Sequence, residues 1–234
     1  MAGLPETVVS SGLVFGGAVH SAIEQHYRAL LAGETAPGPE MLLEAFWSAW
    51  STRSQQAEIQ FARDEDPAAI GSLAQRVLTA FRESELARPA GAVIAVEEEL
   101  REALVPGCPD LLARIDLAVE TDTELVVTDF KTSRSRWSGD QAEQSGEQLV
   151  LYGELAQRLA PAKDLRLEFG VVTKTKTPTV ERHPVTSDLQ RVARTKRVIE
   201  RVWLAICSGL FYPAPSPLSC STCPYRDPCR DWNG

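Results

Sequence analysis

Residues 111–133, LLARIDLAVETDTELVVTDFKTS, decide the fold of this chain. They contain two runs rich in Leu, Val and Ile, at residues 111–120 and 124–131, separated by a short polar turn. Such a pattern predicts two antiparallel β-strands, and residues 92–104 predict a third strand before them. The centre of the protein is therefore expected to be an antiparallel meander.

The segments on either side of this meander alternate between helical and extended patterns. Apolar residues of helical spacing are interrupted by Gly and Pro, and two shorter β-patterned runs follow. Helices are predicted at residues 13–33, 40–60, 67–87, 140–160 and 187–209, and a second strand pair at residues 165–173 and 178–185. This order predicts an α/β fold with a mixed central sheet flanked by helices. We expect one domain over residues 1–212 and a Cys-rich C-terminal appendage over residues 213–234.

The composition is that of a globular protein. Of the 234 residues, 44% are hydrophobic and 24% are charged, which argues against general disorder. The apolar runs are too short to span a bilayer, and the first residues lack the basic start and apolar stretch of a secretory signal. A cytoplasmic location without membrane association is therefore expected.

The net charge of −8 is divided unevenly along the chain. Residues 1–130 hold 21 acidic residues, 8 arginines and no lysine, whereas residues 131–234 hold 16 basic and 11 acidic residues. An acidic half beside a basic half is compatible with docking of a polyanion, and equally with solvated faces of unequal charge. The candidates for contact with a phosphate backbone are Arg134, Arg136, Arg191, Arg194, Lys196, Arg197 and Arg201.

Asp116, Asp129 and Lys131 are the sharpest candidates for chemistry. Residues two apart on a strand share a face, so Asp129 and Lys131 should point the same way. Pairing of the two strands can bring Asp116 next to Asp129, and two adjacent carboxylates repel unless a cation lies between them. Mg²⁺ is the natural cation, because it prefers oxygen ligands. The alternative is an Asp–Lys ion pair at a strand end.

Two predicted helices carry further polar candidates. His20 follows Gly16 and Gly17 in the first helix, and adjacent glycines in a helix suggest that another group approaches the backbone closely. Gln148 and Tyr152 are four residues apart, so they share a helical face and could contact a nucleic acid. The alternatives are a hydrogen-bonded structural histidine and the polar edge of an amphipathic helix.

The five cysteines are distributed unevenly. Cys220, Cys223 and Cys229 crowd the tail with C-x2-C-x5-C spacing, whereas Cys108 and Cys207 stand alone. An odd number of cysteines without a secretory signal argues against a disulfide framework and for metal binding or reduced thiols.

Taken together, these motifs resemble a known family. The ordered set G-x-x-x-H, I-D, D-F-K-T and Q-x-x-x-Y, ending at Tyr152, resembles the RecB-type branch of the PD-(D/E)xK nucleases. The tail is similar to the C-terminal cysteines of the iron–sulfur members, such as the AddB-type helicase–nuclease subunit and the CRISPR-associated exonucleases. The resemblance covers roughly residues 13–230 and implies a restriction-endonuclease-like core.

The resemblance implies specific roles for the candidate residues. His20, Asp116 and Asp129 would bind a catalytic Mg²⁺ or Mn²⁺, helped by the backbone carbonyl of Phe130, and Lys131 would be the catalytic lysine. Gln148 and Tyr152 would contact DNA or support the site. Cys220, Cys223 and Cys229 would ligate a [4Fe–4S] cluster. Glu97, on the first predicted strand, stands where the family often has a glutamate, and it is ranked below the others.

Two features depart from the family pattern. Ala113 replaces a glycine in the motif G-R-I-D, which is a mild change. A [4Fe–4S] cluster generally takes four cysteine thiolates, and relatives supply the first from a segment upstream of the histidine. The nineteen residues before His20 contain no cysteine, so we expect either a misassigned start or true loss of that segment. Nothing in the spacing of Cys108 or Cys207 identifies a substitute, and a zinc site would also lack a fourth ligand.

The resemblance implies metal-dependent hydrolysis of phosphodiester bonds in DNA, by an exonuclease acting on single-stranded ends in repair or recombination. No G-x-x-x-x-G-K-[ST] motif is present, so a helicase subunit would have to be a separate partner. One alternative is a non-catalytic DNA-binding or scaffold module of a helicase–nuclease assembly. Another is a metal-dependent phosphoesterase acting on a small nucleotide.

Overall fold

The secondary structure is taken from a computed structural model that describes residues 8–63, 65–216, 220, 223 and 225–232. The described helices are α1 (Ser11–Leu31), α2 (Pro39–Gln56), α3 (Pro67–Glu83), α4 (Gly139–Ser145), α5 (Glu147–Ala156), α6 (Leu189–Cys207) and α7 (Arg226–Arg230). The described strands are β1 (Val8–Ser10), β2 (Glu58–Gln60), β3 (Ala92–Glu102), β4 (Leu111–Glu120), β5 (Glu124–Ser133), β6 (Asp164–Thr173) and β7 (Val180–Val185). No described helix is long and apolar enough to cross a membrane.

Strands β3 to β7 form a mixed sheet in the order β3-β4-β5-β6-β7. Neighbouring strands are antiparallel except for β5 and β6, which pair in parallel. Parallel strands require a crossover connection, and here α4 and α5 supply it. The predicted mixed sheet, its meander and its second strand pair are therefore confirmed.

Helices cover both faces of this sheet. On one face, α1, α2 and α3 pack in a first hydrophobic cluster that includes Tyr27, Phe46 and Phe81. On the other face, α5 packs in a second cluster that includes Leu149 and Phe169. These layers agree with a restriction-endonuclease-like fold, and they enclose the central strands that carry the candidate site.

Long-range packing ends or divides two of the predicted helices. The helix predicted to reach residue 60 ends at Gln56, because residues 58–60 form β2 and pair in parallel with β1. That pairing joins segments 50 residues apart, so the local helical period could not reveal it. Val9 of β1 is buried in the first cluster, which explains why this unpredicted short strand is held in place.

The helix predicted over residues 140–160 is divided into α4, α5 and a 3₁₀ turn at Gln157–Leu159. The division falls at Gly146, where β7 and α6 approach the backbone closely. A Cβ at Gly146 would overlap the Val185 side chain and lie 2.8 Å from Arg191 Nη2. Long-range packing therefore imposes a break that the local pattern did not indicate.

The C-terminal segment after α6 contains α7 and the three tail cysteines. Residues 217–219, 221, 222, 224, 233 and 234 of this segment lie outside the described residues. The division into a domain over residues 1–212 and an appendage over residues 213–234 stays a prediction.

Candidate active site

The candidate site lies where the ladder between β4 and β5 ends. Leu117 and Thr128 form the last pair of this antiparallel ladder. Just beyond this pair, the backbone N of Phe130, two residues after Thr128, donates a hydrogen bond of 2.6 Å to Asp116 Oδ2. A carboxylate thus takes the place of the next backbone acceptor, and it brings Asp116 beside the part of β5 that carries Asp129.

β3 is irregular at Glu97, directly across from this point. Glu97 has a φ of 51°, in the left-handed region that costs a non-glycine residue on the order of 1 kcal/mol or more. Val96 belongs to the first cluster and Leu100 to the second, although residues of equal parity share a face in a regular strand. The strand therefore changes faces at Glu97, where its side chain lies beside His20.

His20 joins the two carboxylates from α1. Its Nε2 lies 2.7 Å from Asp116 Oδ2, and its Nδ1 lies 3.1 Å from Glu97 Oε1. On the other side, Arg114 Nε lies 2.7 Å from Glu97 Oε2. Within the described residues, His20, Glu97 and Asp116 are a group whose potential ligand atoms all lie within 4.8 Å of one another.

Neighbouring opposite charges, more than burial, set the pKa values of His20 and Glu97. Burial lowers the pKa of His20, but the hydrogen bond to Asp116 and the contact with Glu97 outweigh it and raise the value to about 10. Burial favours the neutral acid at Glu97, yet His20 and Arg114 hold the pKa of Glu97 below its ordinary range. In the metal-free protein, an imidazolium therefore holds two carboxylates together.

Asp129 and Lys131 form an ion pair on β5, as expected for residues two apart on a strand. Burial and repulsion from Asp116 raise the pKa of Asp129 to about 6, while Lys131 acts in the opposite direction. Lys131 Nζ also lies 5.9 Å from the centroid of the Phe169 ring, which belongs to the second cluster. The ammonium is thus held at the edge of an apolar surface, beside the Asp129 carboxylate.

Gly16 allows α1 to approach β5 closely. A Cβ at this position would lie 3.0 Å from Thr132 Oγ1, tighter than ordinary van der Waals contact. Between α1 and β5 lies a cavity of about 20 Å³, lined in part by His20, Phe130 and Lys131. A cavity of this volume can hold one water molecule.

Gln148 and Tyr152 are hydrogen bonded to each other on α5. Tyr152 packs against the second cluster, on the sheet face that also carries Lys131. Among the described residues, neither side chain has a hydrogen bond or ion pair to His20, the carboxylates or Lys131. The structure therefore places Tyr152 on the sheet face of Lys131 and joins neither side chain to the site.

Three of the α6 residues considered for phosphate contact are engaged within the protein. They join α6 to the crossover helices, through the ion pairs Arg191–Glu143, Arg194–Glu147 and Lys196–Glu154. Arg136 similarly pairs with Glu181 of β7. The positive charge of α6 is therefore partly neutralised by the crossover helices, which the charge count of the sequence could not show.

The tail cysteines are partly buried free thiols in the structure. They do not contribute to the group of potential metal ligands formed by His20, Glu97 and Asp116. The tail contains three cysteines, one fewer than a four-thiolate cluster requires. The tail alone therefore does not fit a [4Fe–4S] cluster.

The geometry agrees with the comparison against known families. The sequence model of the PD-(D/E)XK nuclease superfamily matches residues 2–230. The chain belongs to this nuclease superfamily. The predicted superfamily is thereby confirmed, and with it a hydrolase that acts on nucleic acid. No curated protein matches the chain.

Two solved structures resemble this nuclease at low sequence identity. The crystal structure of a candidate exonuclease from Eubacterium rectale is 14% identical, with a TM-score of 0.51, and the match covers 84% of this chain and 75% of that one. The structure of SSO0001 is 16% identical, with a TM-score of 0.40, and the match covers 94% of this chain and 84% of that one. The first of these supports the fold.

Nucleases of this superfamily typically use a divalent metal, and the residues present fit one. An imidazole and two carboxylates are suitable ligands for Mn²⁺, and the carboxylates suit Mg²⁺. Glu97 Oε1 and Asp129 Oδ2 are buried and accept no well-aligned hydrogen bond from the described residues. These oxygens retain lone pairs that a cation could satisfy.

Sequence reasoning ranked Glu97 below the other candidates. The structure places Glu97 with His20 and Asp116, whereas Asp129 lies beside this group and pairs with Lys131. The run of three glutamates at residues 97–99 does not indicate which one turns inward, because the turn depends on a left-handed backbone at a non-glycine residue. Arg114 could have been found, since it shares a strand face with Asp116.

Proposed function

We propose that this nuclease is a Mg²⁺- or Mn²⁺-dependent deoxyribonuclease that acts as an exonuclease on single-stranded DNA ends in repair or recombination. The observation that carries the proposal is the convergence of His20, Glu97 and Asp116 beside the Asp129–Lys131 pair. The exonuclease assignment draws support from the similarly folded candidate exonuclease. The order of the sequence motifs supports assignment of this nuclease to the RecB-type branch.

The chain supplies a site with separate roles for its charged groups. His20, Glu97 and Asp116 would hold the divalent ion, with Asp129 as a further carboxylate. When bound, such an ion polarises a phosphodiester oxygen and makes a water molecule more acidic at neutral pH. Lys131 is already fixed by Asp129, so its ammonium can orient the attacking water and stabilise negative charge on the phosphate without reorganisation.

Gln148 and Tyr152 are proposed to contact the DNA rather than the metal. The two side chains are hydrogen bonded to each other. The Tyr152 ring lies on the same sheet face as Lys131. A ring in that position could stack on a base. Among the described residues, neither side chain is hydrogen bonded to His20, the carboxylates or Lys131. This favours a role in positioning the substrate over a direct role in the chemistry.

The iron–sulfur cluster and the helicase partner are separate proposals. Cys220, Cys223 and Cys229 would provide three of four thiolates, so a further thiolate is needed, from Cys108, Cys207 or a cysteine outside the 234 residues. The measurement is iron and sulfide content, with absorbance near ~400 nm, after anaerobic purification. Iron-free protein with full nuclease activity would refute the cluster without affecting the nuclease proposal.

The test of the nuclease proposal is cleavage of end-labelled single-stranded DNA with Mg²⁺ or Mn²⁺, and with EDTA as a control. Asp116→Asn and Lys131→Ala should each reduce cleavage by at least ~100-fold, because the first removes a ligand of the ion and the second a positive charge at the reacting phosphate. Asp122→Asn is the matched control, because it neutralises an exposed aspartate in the turn at the other end of β4. Equal activity of Asp116→Asn and wild type would refute the assignment of the site.

The same assay separates the alternatives. DNA binding without cleavage by the wild type under every metal condition would favour a non-catalytic DNA-binding module. Hydrolysis of mononucleotide esters that oligonucleotides fail to inhibit would favour a phosphoesterase acting on small nucleotides.

A further inference from the structure

Two cations lie at the carboxyl ends of β5 and β6, beyond the site described above. Arg134 directly follows β5, and Lys174 directly follows β6. The parallel strands pair in register up to Ser133 and Thr173, and the backbone N of Lys174 donates to Ser133 O. The two side chains therefore start from the same edge of the sheet, the edge at which α/β proteins commonly bind ligands.

Both cations reach the first turn of α1 at Gly12. The position that a Cβ would occupy at Gly12 lies 3.9 Å from Arg134 Nη2 and 4.0 Å from Lys174 Nζ. Lys174 Nζ donates a hydrogen bond of 3.2 Å to Gly12 O and lies 5.7 Å from the centroid of the Phe15 ring. Lys174 is thus fixed in place, and the absence of a side chain at residue 12 leaves room between the two cations.

The charges of this pair are not balanced within the described part of the chain. Among the described residues, Arg134 is exposed and has no hydrogen bond or ion pair, and Lys174 has no carboxylate within ion-pair distance. Glu65 is the acidic group that acts on Lys174, but its carboxylate already accepts hydrogen bonds from Ser11 Oγ and Ala62 N. Burial and repulsion from Arg134 lower the pKa of Lys174. A bound anion would relieve this repulsion.

The cation pair and the candidate metal group lie along one strip of α1. Gly12, Gly16 and His20 are spaced by four residues and so share a helical face. The rise of a helix separates Gly12 from His20 by about 12 Å. This distance is too large for one phosphate group to contact both places, but a polynucleotide strand has phosphates that can.

We propose that Arg134 and Lys174 bind a phosphate of the substrate strand that is not the one being cleaved. This contact orients the strand across the carboxyl edge of β5 and β6, so that another phosphate lies beside His20 and Lys131. The inference rests on the proposed nuclease function. It assigns the main phosphate-binding surface to this sheet edge instead of to α6. Both cations act as positioning residues.

The test measures DNA binding in a cleavage-inactive background. Lys131→Ala protein is titrated into a fluorescent single-stranded oligodeoxynucleotide with Mg²⁺ present, and the anisotropy is recorded at several salt concentrations. Adding Arg134→Gln and Lys174→Gln should reduce the slope of log K against log salt by about 0.7 for each lost contact. At ~0.1 M salt this corresponds to about 5-fold weaker binding for each contact.

Control variants separate a local contact from a change in total charge or a folding defect. Arg76→Gln with Arg88→Gln removes two exposed cations elsewhere and should leave most of the salt slope intact. Arg134→Gln alone breaks no hydrogen bond or ion pair with the described residues, so it should leave the fold intact. Gly12→Glu should also weaken binding, because its carboxylate would occupy the space between the two cations.

A neutral methylphosphonate linkage, moved along the oligonucleotide, locates the phosphate. At one position it should weaken binding to the parent protein, yet cause no further loss in the Arg134→Gln, Lys174→Gln variant. Equal losses in both proteins at every position would refute the subsite while leaving the nuclease proposal intact. If wild type cleaves no DNA and the parent protein binds none, the nuclease proposal itself fails, and the inference fails with it.

Discussion

Replacing Asp129 with asparagine should make the metal-free protein more stable while removing its activity. Asp129 is 6% exposed and lies beside Asp116, so its ionised form is costly in the folded state. Asparagine has nearly the same shape and no charge. The substitution therefore removes the repulsion along with the carboxylate that we assign to the site.

The magnitude follows from the pKa of Asp129, which rises from an ordinary 3.8 to about 6 on folding. Each unit is worth about 1.4 kcal/mol, so ionised Asp129 lowers the free energy of unfolding by up to about 3 kcal/mol. Because the folded pKa is the higher one, this destabilisation is absent below pH ~4 and complete above pH ~6. The amide must find its own hydrogen bonds, so the expected gain at neutral pH is about 1–3 kcal/mol.

The assay is urea unfolding of wild type and Asp129→Asn, with EDTA, at pH ~4 and at neutral pH. The variant should be more stable at neutral pH, and the difference should shrink toward zero at the lower pH. Asp122→Asn, at an exposed position, should show little difference at either pH. A variant that is less stable than wild type at neutral pH, or a difference that does not change with pH, would refute the assignment of Asp129 as a destabilised carboxylate.

In place of EDTA, Mn²⁺ should stabilise wild type more than the variant, because a ligand that binds only the folded state adds to its stability.

Three further predictions test the surroundings of the site. Glu97→Gln should weaken Mn²⁺ binding, measured by electron paramagnetic resonance, by about 10-fold or more, whereas Glu98→Gln at the exposed neighbour should not. Gly146→Ala should lower the free energy of unfolding by about 1–3 kcal/mol through overpacking, whereas Gly139→Ala, at a position with open space, should not. Burial lowers the pKa of His26, so its ring should titrate below 6.5 by NMR, and stability should fall as the pH drops through that value because the unfolded state takes up the proton first.

The sequence revealed those parts of the site that depend on strand periodicity. Asp129 and Lys131 lie two residues apart on a strand, so their shared direction follows from β geometry alone. The position of Asp116 required only that two neighbouring strands pair around a short turn. The ordered motifs connected these residues with His20, which lies 96 residues before Asp116 and has no local signal that joins it to the carboxylates.

The remaining parts depend on contacts that no local pattern encodes. The inward turn of Glu97 needs a backbone conformation that glycine normally provides, and the sequence has glutamate there. The break at Gly146 reflects the approach of β7 and α6, both distant in the sequence. The neutralisation of α6 by α4 and α5 likewise appears only when the helices are packed together.

The elements that break local rules are concentrated at one place in the fold. Glu97 has a strained backbone, and the ladder between β4 and β5 stops early. Asp129 is ionised at neutral pH although its surroundings raise its pKa. Together the strain at Glu97 and the ionisation of Asp129 lower the stability by about 4 kcal/mol, a large part of the 5–15 kcal/mol typical of a folded domain. Such strained or destabilised groups persist only where the surrounding packing holds them in place. Here Phe130 contributes to that packing, because its ring stacks on Tyr27 with the centroids 5.7 Å apart, on the sheet face opposite the Asp129–Lys131 pair. Because a divalent ion would relieve the repulsion of the carboxylates, the metal-bound protein should regain the stability that this repulsion costs.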